Sequence, residues 1–221
     1  VNRIFDSRTA SFREAHAIGQ HGNYIALQDG CGIQIWDLTY VLNPIQVTRF
    51  CMDGYSHDDY GSAWSLFWQA PYIYIGKGSG GFDVVDASDI ENPVLVNNIT
   101  DQSNVGSIFA IGNLLFTGAN NGRTGYGIFD ISDPVNPVKI NSGSTKNLYS
   151  IFVNGNRIVT SNRHSSRKFN FFDVFSFNDP VAAIANNKFR FVEKLDQLYS
   201  STQDNFIFQG CLEDVYKIDA T

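Results

Sequence analysis

The segment "GIFDISDPVNPVKI" at residues 127–140 contains an apolar run, an aspartate, an Asn-Pro dipeptide and a second apolar run. The same order recurs in "IQIWDLTYVLNPIQV" (33–47), "FDVVDASDIENPVLV" (82–96) and "NFFDVFSFNDPVAAI" (170–184), which has Asp-Pro, while "VYKIDAT" (215–221) begins a fifth copy. The aspartates recur at intervals of 43 to 49 residues. A fixed period of this length is typical of repeat architectures, so we interpret the chain as nearly five copies of one unit.

Each copy predicts four short strands. In residues 147–184, "LYSIFVNGNRIVTS" predicts two strands joined by an Asn-Gly turn, and "FNFFDV" and "PVAAIA" predict the third and fourth strands. No segment has sustained helical periodicity. Four-stranded units that repeat without helices indicate an all-β fold, a β-propeller. We therefore predict five four-stranded blades in one domain, residues 1–221, with repeats at approximately 15–50, 63–100, 106–143, 148–190 and 198–221.

The two ends of the sequence predict how the ring closes. The sequence stops after a third strand, and "VNRIF" (1–5) is similar to the fourth strand "PVKIN" (137–141). We therefore expect the N-terminal strand, residues 1–8, to complete the last blade. The alternative is a piece cut from a longer propeller, and the first residue, which is not Met, fits a mature or trimmed chain.

Composition narrows the classes of function. Hydrophobic residues make up 43% of the 221 residues and charged residues only 17%, which suits a packed β protein. The net charge of -6 gives no electrostatic footprint for phosphate backbones or anionic lipid. No apolar run approaches the ~20 residues that a membrane-spanning helix needs. We therefore expect no nucleic-acid partner and no membrane span.

Two of the copies suggest a family. "GGFDVVDASDIENPVLV" (80–96) and "YGIFDISDPVNPVKI" (126–140) resemble the LVIVD repeat, which occurs in β-propellers of bacterial and archaeal surface proteins. The resemblance covers essentially the whole chain and fades in the last blade. It implies an extracellular or cell-surface location and gives no catalytic residues to carry over, because propellers host many unrelated functions.

The repeated aspartates have a structural interpretation. An Asp after a strand can accept a hydrogen bond from the backbone N–H two residues on, and a Pro that opens an outer edge strand removes an unneeded donor. Calcium binding is the weaker alternative, since the glycine pattern of known calcium loops is missing. We expect no metal and no cofactor, and we assign structural turns to Asp37, Asp86, Asp130, Asp173 and Asp219.

The ligand-binding candidates lie where the loops between repeats meet the channel mouth. Aligned repeats place aromatic and His side chains at the start of the inner strands, where they would stack on sugars or grip a peptide, or else plug the channel. The longest insertion, "SHDDYGSAW" (56–64), adds polar candidates on a loop, where function tends to lie. The candidates are His16, His57, Asp58, Asp59, Tyr60, Trp64, Tyr149 and Tyr199.

The three cysteines leave several states open. Cys31 and Cys211 occupy nearly equivalent hairpin positions in the first and fifth copies, and Cys51 opens the long loop on the same face. A Cys31–Cys51 disulfide is the favoured pairing in an oxidising compartment. Three free thiols, or a zinc site that uses the cysteines with His57, are the alternatives.

These observations favour a non-enzymatic extracellular propeller that binds a protein, peptide or glycan on its loop-bearing face. The alternative is a carbohydrate-active hydrolase with Glu14, Asp58 and Asp59 as its carboxylates, which would need two carboxylates facing across the mouth. A third hypothesis is self-assembly as a surface subunit, which would require exposed apolar side chains on the blade edges.

Overall fold

The structure is a computed structural model in which strand follows strand along the chain. It describes main chain and side chains for residues 17–53, 55, 65–77, 80–102, 105–119 and 125–143, and the main chain alone for the strands between residues 148 and 219. All the regular elements in these ranges are strands, so the predicted all-β class is confirmed.

Three four-stranded sheets make up the part of the chain with described side chains. In each sheet the strands are neighbours in chain order, from an inner first strand to an outer fourth strand. The first sheet contains β1 (Ala17–His21), β2 (Tyr24–Gln28), β3 (Gly32–Asp37) and β4 (Ile45–Cys51). The second contains β5 (Ser65–Gln69), β6 (Tyr72–Gly76), β7 (Phe82–Asp86) and β8 (Val94–Ile99). The third contains β9 (Val105–Ile111), β10 (Leu114–Ala119), β11 (Tyr126–Asp130) and β12 (Val138–Gly143).

The remaining strands continue the pattern at the level of the main chain. A further four-stranded sheet contains β13 (Leu148–Asn154), β14 (Arg157–His164), β15 (Phe169–Ser176) and β16 (Ala185–Phe191). A three-stranded sheet contains β17 (Tyr199–Gln203), β18 (Phe206–Gly210) and β19 (Val215–Asp219). Residues 1–16 lie outside the described residues, so the five-blade count and the closing N-terminal strand stay predictions.

The chain forms two compact units. One contains Val1–Val105 and Pro134–Asn136, and the other contains Gly106–Asp133 and Pro137–Thr221. The boundary at residue 105 coincides with the start of the third sheet. The single domain over residues 1–221 stays a prediction.

Burial follows strand position within each sheet. The middle strands are the most buried ones: "GIQIWD" of β3 and "YIYIG" of β6 are buried on both faces, and β2 is buried on one face and half-buried on the other. The outer strands β4, β8 and β12 are half-buried or exposed. In the first unit, Ile33, Ile35, Ile73 and Ile75 are fully buried in a cluster that spans the first two sheets. β-branched residues suit such strands because they pack well on a pleated surface.

The repeated aspartates hold the corner between the third and fourth strands. The carboxylates of Asp37, Asp86 and Asp130 accept hydrogen bonds from the backbone N–H two residues on, at 2.7, 2.8 and 2.8 Å. The residue after each aspartate donates its own N–H to a carbonyl in the turn between the first two strands. These donors are Leu38, Ala87 and Ile131, and the acceptors are Asn23, Pro71 and Asn113.

The prolines of the motif stand directly before the outer strands. Pro44, Pro93 and Pro137 immediately precede β4, β8 and β12. Each outer strand also carries a register shift opposite the last residues of the third strand. The corner therefore repeats as a unit of main-chain geometry, and this is why its sequence recurs.

The fourth copy departs from the predicted alignment. Asp173 lies inside β15, where it pairs with Thr160 and Lys188, and the strand ends three residues later at Ser176. The apolar residues Val174 and Phe175 extend the strand beyond the aspartate. Ser176 therefore takes the strand-end position that Asp37 and Asp86 take in the first two copies, and Asp219 ends β19.

Candidate binding surface

One end of the first unit carries the hairpins between second and third strands and the connection after β4. We call this the loop-bearing edge and define it by Asp29, Cys31, Cys51, Tyr55 and Asp83. Cys31 and Cys51 are disulfide-bonded, with their Cα atoms 4.8 Å apart. The N–H of Met52 donates to the Cys31 carbonyl at 2.9 Å. The disulfide and this hydrogen bond join the hairpin of the first sheet to the connection that follows β4.

A buried carboxylate organises the hairpin of the first sheet. Asp29 is 1% exposed, and its Oδ1 accepts hydrogen bonds from the N–H groups of Cys31 and Gly32 at 2.8 and 3.0 Å. Its Oδ2 accepts from Gln34 Nε2 at 2.7 Å and pairs with Arg49 Nη2 at 3.2 Å. A buried charge is tolerated where it is paired and hydrogen-bonded, and both oxygens of Asp29 meet that condition.

Gln34 extends this network toward the core. Its Oε1 accepts a hydrogen bond from the indole Nε1 of Trp36 at 3.1 Å, while its amide donates to Asp29. Gln34 and Arg49 are also direct cross-strand partners on β3 and β4. The network therefore runs from a partly exposed arginine to a buried tryptophan through groups that each have a partner.

A second buried carboxylate organises the hairpin of the second sheet. Asp83 is fully buried, and its Oδ1 contacts Lys77 Nζ at 2.7 Å and Asn98 Nδ2 at 2.6 Å. Its Oδ2 accepts a hydrogen bond from the Tyr55 hydroxyl at 2.8 Å. Because Tyr55 belongs to the connection after β4, this bond ties the first repeat to the second.

The surroundings of Tyr55 keep its hydroxyl protonated. Burial, followed by the negative charge of Asp83, raises the pKa of Tyr55 far above its ordinary value. The ammonium of Lys77 lies 5.6 Å from the centre of the Tyr55 ring, within reach of a cation–π interaction. The phenol is therefore a persistent donor to Asp83.

The two clusters occupy equivalent positions with different charges. The residue after the second strand is Asp29 in the first repeat and Lys77 in the second. The residue three before the corner aspartate is Gln34 in the first repeat and Asp83 in the second. In the third repeat the corresponding residues are Ala119, which like Asp29 and Lys77 lies five residues after the start of the second strand, and Gly127, three residues before Asp130. Unlike the corner, this position varies between repeats, which is typical of a part of a repeat protein that is free to specialise.

Most of the predicted ligand-binding candidates lie outside the described residues. These are His16, His57, Asp58, Asp59, Tyr60 and Trp64, together with Glu14 of the hydrolase alternative. Tyr149 lies in β13 and Tyr199 begins β17, both described by their main chain alone. Their role in binding stays a prediction.

Sequence reasoning missed the two buried carboxylates. Asp83 stands between apolar residues in "GFDVVD", and a charge inside an apolar strand signals a buried pair, because an unpaired one would be too costly. Asp29 carries no such signal, since "QDGCG" (28–32) has the composition of an ordinary turn. Within the ranges that the structure describes, no group of three or more His, Cys, Asp or Glu side chains is arranged to hold a metal ion. The same ranges contain no helix long and apolar enough to cross a membrane.

Comparison with known proteins identifies the repeat and the fold. The model of the LVIVD repeat matches residues 60–101, so the predicted resemblance is confirmed over that stretch. No curated protein matches the chain in sequence.

Solved structures of β-propellers are similar to nearly the whole chain. The β-propeller domain of Myceliophteria thermophila Cps50 (Swd1) matches 93% of this chain over 70% of its own length, with a TM-score of 0.64 and 12% identity. Kuenenia stuttgartiensis hydrazine synthase matches 93% of this chain over 58% of its own length, with a TM-score of 0.66 and 10% identity. A chain of a nidogen/laminin complex matches 93% of this chain over 76% of its own length, with a TM-score of 0.62 and 9% identity. At such identities the likeness concerns the fold alone. The chain therefore has a β-propeller fold and carries an LVIVD repeat at residues 60–101.

Proposed function

We propose that this protein is a non-enzymatic extracellular binding propeller, with five blades and a ring closed by its N-terminal strand. In this proposal the loop-bearing edge of the first two repeats forms part of the surface that binds a protein, peptide or glycan. The observation that carries the proposal is the cross-linking of this edge by one disulfide and two buried polar clusters.

The cross-links preorganise the edge for binding. The disulfide, the Tyr55–Asp83 hydrogen bond and the Arg49–Asp29 ion pair each join two segments that are separate in sequence. A surface that is already ordered loses less conformational entropy when a ligand binds, and this raises affinity. Rigid scaffolds that present variable loops are also where binding residues concentrate.

The disulfide supports an extracellular or cell-surface location. Disulfides persist in oxidising compartments and are rare in reducing ones. The resemblance to the LVIVD repeat implies the same location. The nidogen/laminin structure is that of a complex, and a propeller-like chain in such a complex supports a protein as the first ligand class to test.

The buried carboxylates support a structural role over acid–base catalysis. The oxygens of Asp29 and Asp83 are engaged by Arg49 and Lys77 and by amide or hydroxyl donors. A catalytic carboxylate in a glycosidase instead faces the substrate and a second carboxylate. The hydrolase reading, with Glu14, Asp58 and Asp59, is retained as the alternative that the binding assay tests.

Self-assembly through the blade edges is supported by a separate observation. In the three sheets with described side chains, the first residue of the outer strand is an exposed aliphatic residue: Ile45, Val94 and Val138 are 56%, 56% and 62% exposed. Apolar side chains that recur at one position along the perimeter are the feature that an assembly subunit requires.

A binding screen with two matched variants tests these alternatives. The purified oxidised protein is screened against glycan and peptide libraries, and hits are measured again with Trp64→Ala and with Val94→Asp. Loss of binding in Trp64→Ala alone supports binding at the loop-bearing face. Loss of binding in Val94→Asp alone supports binding at the outer strands. Unchanged binding in both variants contradicts both proposed surfaces.

Each glycan hit is also incubated with the protein and analysed by mass spectrometry. Cleavage that disappears in Asp58→Asn or Asp59→Asn would overturn the non-enzymatic assignment. Intact glycan after prolonged incubation is the expected result.

A further inference from the structure

The Cys31–Cys51 disulfide lies at an accessible place on the loop-bearing edge. Cys51, the last residue of β4, is exposed, whereas Cys31 in the hairpin of the first sheet is half-buried. Exchange between a disulfide and a thiol requires that a thiolate reach one of the two sulfur atoms, so access is one of the factors that set its rate. The exposed position of Cys51 therefore gives a reductant a point of attack in the folded protein.

The main chain around the disulfide is held by hydrogen bonds that do not depend on it. Cys51 and Gly32 are cross-strand partners on β4 and β3. The N–H of Met52 donates to the Cys31 carbonyl, and the N–H groups of Cys31 and Gly32 donate to the Asp29 carboxylate. Reduction of the disulfide removes none of these donors or acceptors, so we expect the reduced chain to stay folded.

A short path leads from Cys51 to the second repeat. Met52, the next residue, is 6% exposed and belongs to the buried cluster that spans the first two sheets. Its carbonyl accepts a hydrogen bond from the N–H of Tyr55 at 3.4 Å, and the Tyr55 hydroxyl donates to Asp83 at 2.8 Å. The disulfide therefore fixes the chain four residues before the side chain that joins the two repeats.

The Tyr55–Asp83 bond can open without leaving a buried charge unpaired. Lys77 and Asn98 also contact the Asp83 carboxylate, at 2.7 and 2.6 Å, and both contacts remain when the phenol leaves. The large cost of an uncompensated buried charge therefore does not arise. The joint between the two repeats can open while the second sheet stays folded.

We propose that the Cys31–Cys51 disulfide is a redox switch that controls the Tyr55–Asp83 bond between the first two repeats. In the oxidised protein the disulfide restricts Cys51 and Met52, and Tyr55 stays on Asp83. In the reduced protein this restriction is gone, and the bond between the repeats opens more often. The switch goes beyond the proposed binding function, and its test needs no ligand.

The switch requires a dithiol as reductant, either a small molecule or a protein with two neighbouring cysteines. One thiolate of the dithiol attacks the Cys51 sulfur, the S–S bond breaks, and Cys31 leaves as a thiolate that takes up a proton. The second thiolate of the dithiol then displaces Cys51 from the mixed disulfide and closes the dithiol's own disulfide. The protein gains two electrons and two protons, and the dithiol loses the same number.

Reduction of the folded protein is the first test. The protein is incubated with dithiothreitol at urea concentrations below its unfolding transition, alkylated and analysed by peptide mass spectrometry. Alkylation of Cys31 and Cys51 should appear while the circular dichroism spectrum stays that of the folded protein, and its rate should not depend on urea. If both cysteines are alkylated only within the unfolding transition, the bond is inaccessible in the folded protein and the inference is wrong.

A second test measures whether the redox state changes the Tyr55–Asp83 bond. Urea unfolding is followed for the wild type and Tyr55→Phe, each with and without the reductant. Coupled groups give non-additive effects, so Tyr55→Phe should raise the unfolding constant several-fold less in the reduced protein than in the oxidised protein. Leu115→Ala is the control, because Leu115 is fully buried in the third sheet, and its effect should be the same in both states.

Hydrogen exchange locates the change. The amide of Tyr55 should exchange several-fold faster after reduction, whereas the amide of Ala87, which donates to Pro71 at the other end of the second sheet, should not change. An equal effect of Tyr55→Phe in both redox states, or unchanged exchange at Tyr55, would overturn the switch and leave the disulfide a structural cross-link alone. All of these measurements are made without a ligand, so a failed binding screen does not affect their outcome.

Discussion

The Tyr55 side chain joins two repeats at the loop-bearing edge. Its hydroxyl donates to a carboxylate that is fully buried, and its ring lies beside Lys77. Asp83 would keep two donors without it, Lys77 and Asn98, so the loss of Tyr55 weakens the cluster without leaving the charge unpaired. A substitution of Tyr55 therefore measures the stability that the hydrogen bond between the two repeats contributes, without the added cost of an unpaired buried charge.

Tyr55→Phe should lower the free energy of unfolding by about 1–3 kcal/mol, the usual cost of removing one partner of a hydrogen bond to a buried charged group. Urea unfolding followed by circular dichroism measures this change. Tyr40→Phe is the matched control, because Tyr40 is 74% exposed and substitutions on such surfaces usually change stability by less than about 0.5 kcal/mol. Equal effects in the two variants would contradict the role assigned to Tyr55.

Substitutions at Gly80 and Gly81 distinguish two ways in which an added side chain lowers stability: backbone strain alone, and backbone strain together with a steric clash. Both have positive φ, +85° and +89°, but a Cβ on Gly81 would collide with the Ile99 carbonyl oxygen, whereas a Cβ on Gly80 would meet open space. Gly80→Ala should cost about 1 kcal/mol, from backbone conformation alone. Gly81→Ala should cost clearly more, about 2–4 kcal/mol, because β8 must also move. Thermal unfolding of the pair checks this order, and a Gly80 variant as unstable as the Gly81 variant would refute it.

At the scale of elements, the corner could be predicted from the sequence because its hydrogen bonds join residues that are close in sequence. An Asx turn needs only an aspartate and the N–H two residues on, so the motif alone predicts the hydrogen bonds of Asp37, Asp86 and Asp130. The Asp29 and Asp83 clusters were not accessible in the same way. Their partners lie up to 28 residues away in sequence and meet only through strand register and the packing of one repeat on the next.

The fourth repeat shows a limit of motif alignment. The spacing from Asp173 to Pro180 matches the other copies, yet the strand continues through Val174 and Phe175. Local spacing placed the turn three residues too early because apolar alternation, which drives strand length, extended beyond the aspartate. A register shift opposite Val174 and Phe175 marks the equivalent position in the structure.

The aspartates of the corners should make the free energy of unfolding decrease at acidic pH. Hydrogen bonds from Thr39, Asn92 and Ser132 hold the pKa values of Asp37, Asp89 and Asp130 below the ordinary 3.8. A carboxyl whose folded pKa is lowered stabilises the fold above its unfolded pKa, and this contribution is lost as the pH falls through the folded value. Stability should therefore decline as the pH falls below about 4.

A triple variant, with Asn at positions 37, 89 and 130, tests this dependence. The Asn side chain can still accept the backbone hydrogen bond but does not titrate. At pH 7 the variant lacks this contribution and should unfold at a slightly lower temperature than the wild type, and its thermal midpoint should fall less steeply between pH 5 and pH 3. A slope equal to that of the wild type would show that other groups control acid unfolding.

The disulfide links the hairpin of the first sheet to the last residue of β4, where the connection to the second repeat begins. Cys31 and Cys51 are separated by 20 residues, and closing a loop of that size stabilises the fold by about 3 kcal/mol in the chain-entropy description. The variant Cys31→Ser/Cys51→Ser should lose about this amount, measured by urea unfolding. Reductant should lower the midpoint of the wild type and leave that of the double variant unchanged. If reductant leaves the unfolding midpoint of the wild type unchanged, this would contradict the presence of the Cys31–Cys51 disulfide.

At the scale of the whole molecule, the question is whether the two compact units unfold together. All three tryptophans, at positions 36, 64 and 68, belong to the unit that contains residues 1–105, whereas the strands that circular dichroism reports are spread over the whole chain. Tryptophan fluorescence therefore follows one unit, and circular dichroism follows both. Repeat proteins gain stability from nearest-neighbour interfaces, so we expect the two units of the predicted single domain to unfold cooperatively.

The two probes should consequently give coincident urea transitions. Leu115→Ala sharpens the test, because Leu115 is fully buried in the other unit and its loss should cost about 2–5 kcal/mol. In a cooperative domain this substitution lowers the midpoint of the fluorescence transition as much as that of the dichroism transition. Ile75→Ala, at a fully buried position in the first unit, is the matched control. It should lower the midpoints of both the fluorescence and the dichroism transitions, whether or not the two units unfold together. If Leu115→Ala leaves the fluorescence midpoint unchanged, the two units fold independently, and this would contradict the single domain over residues 1–221.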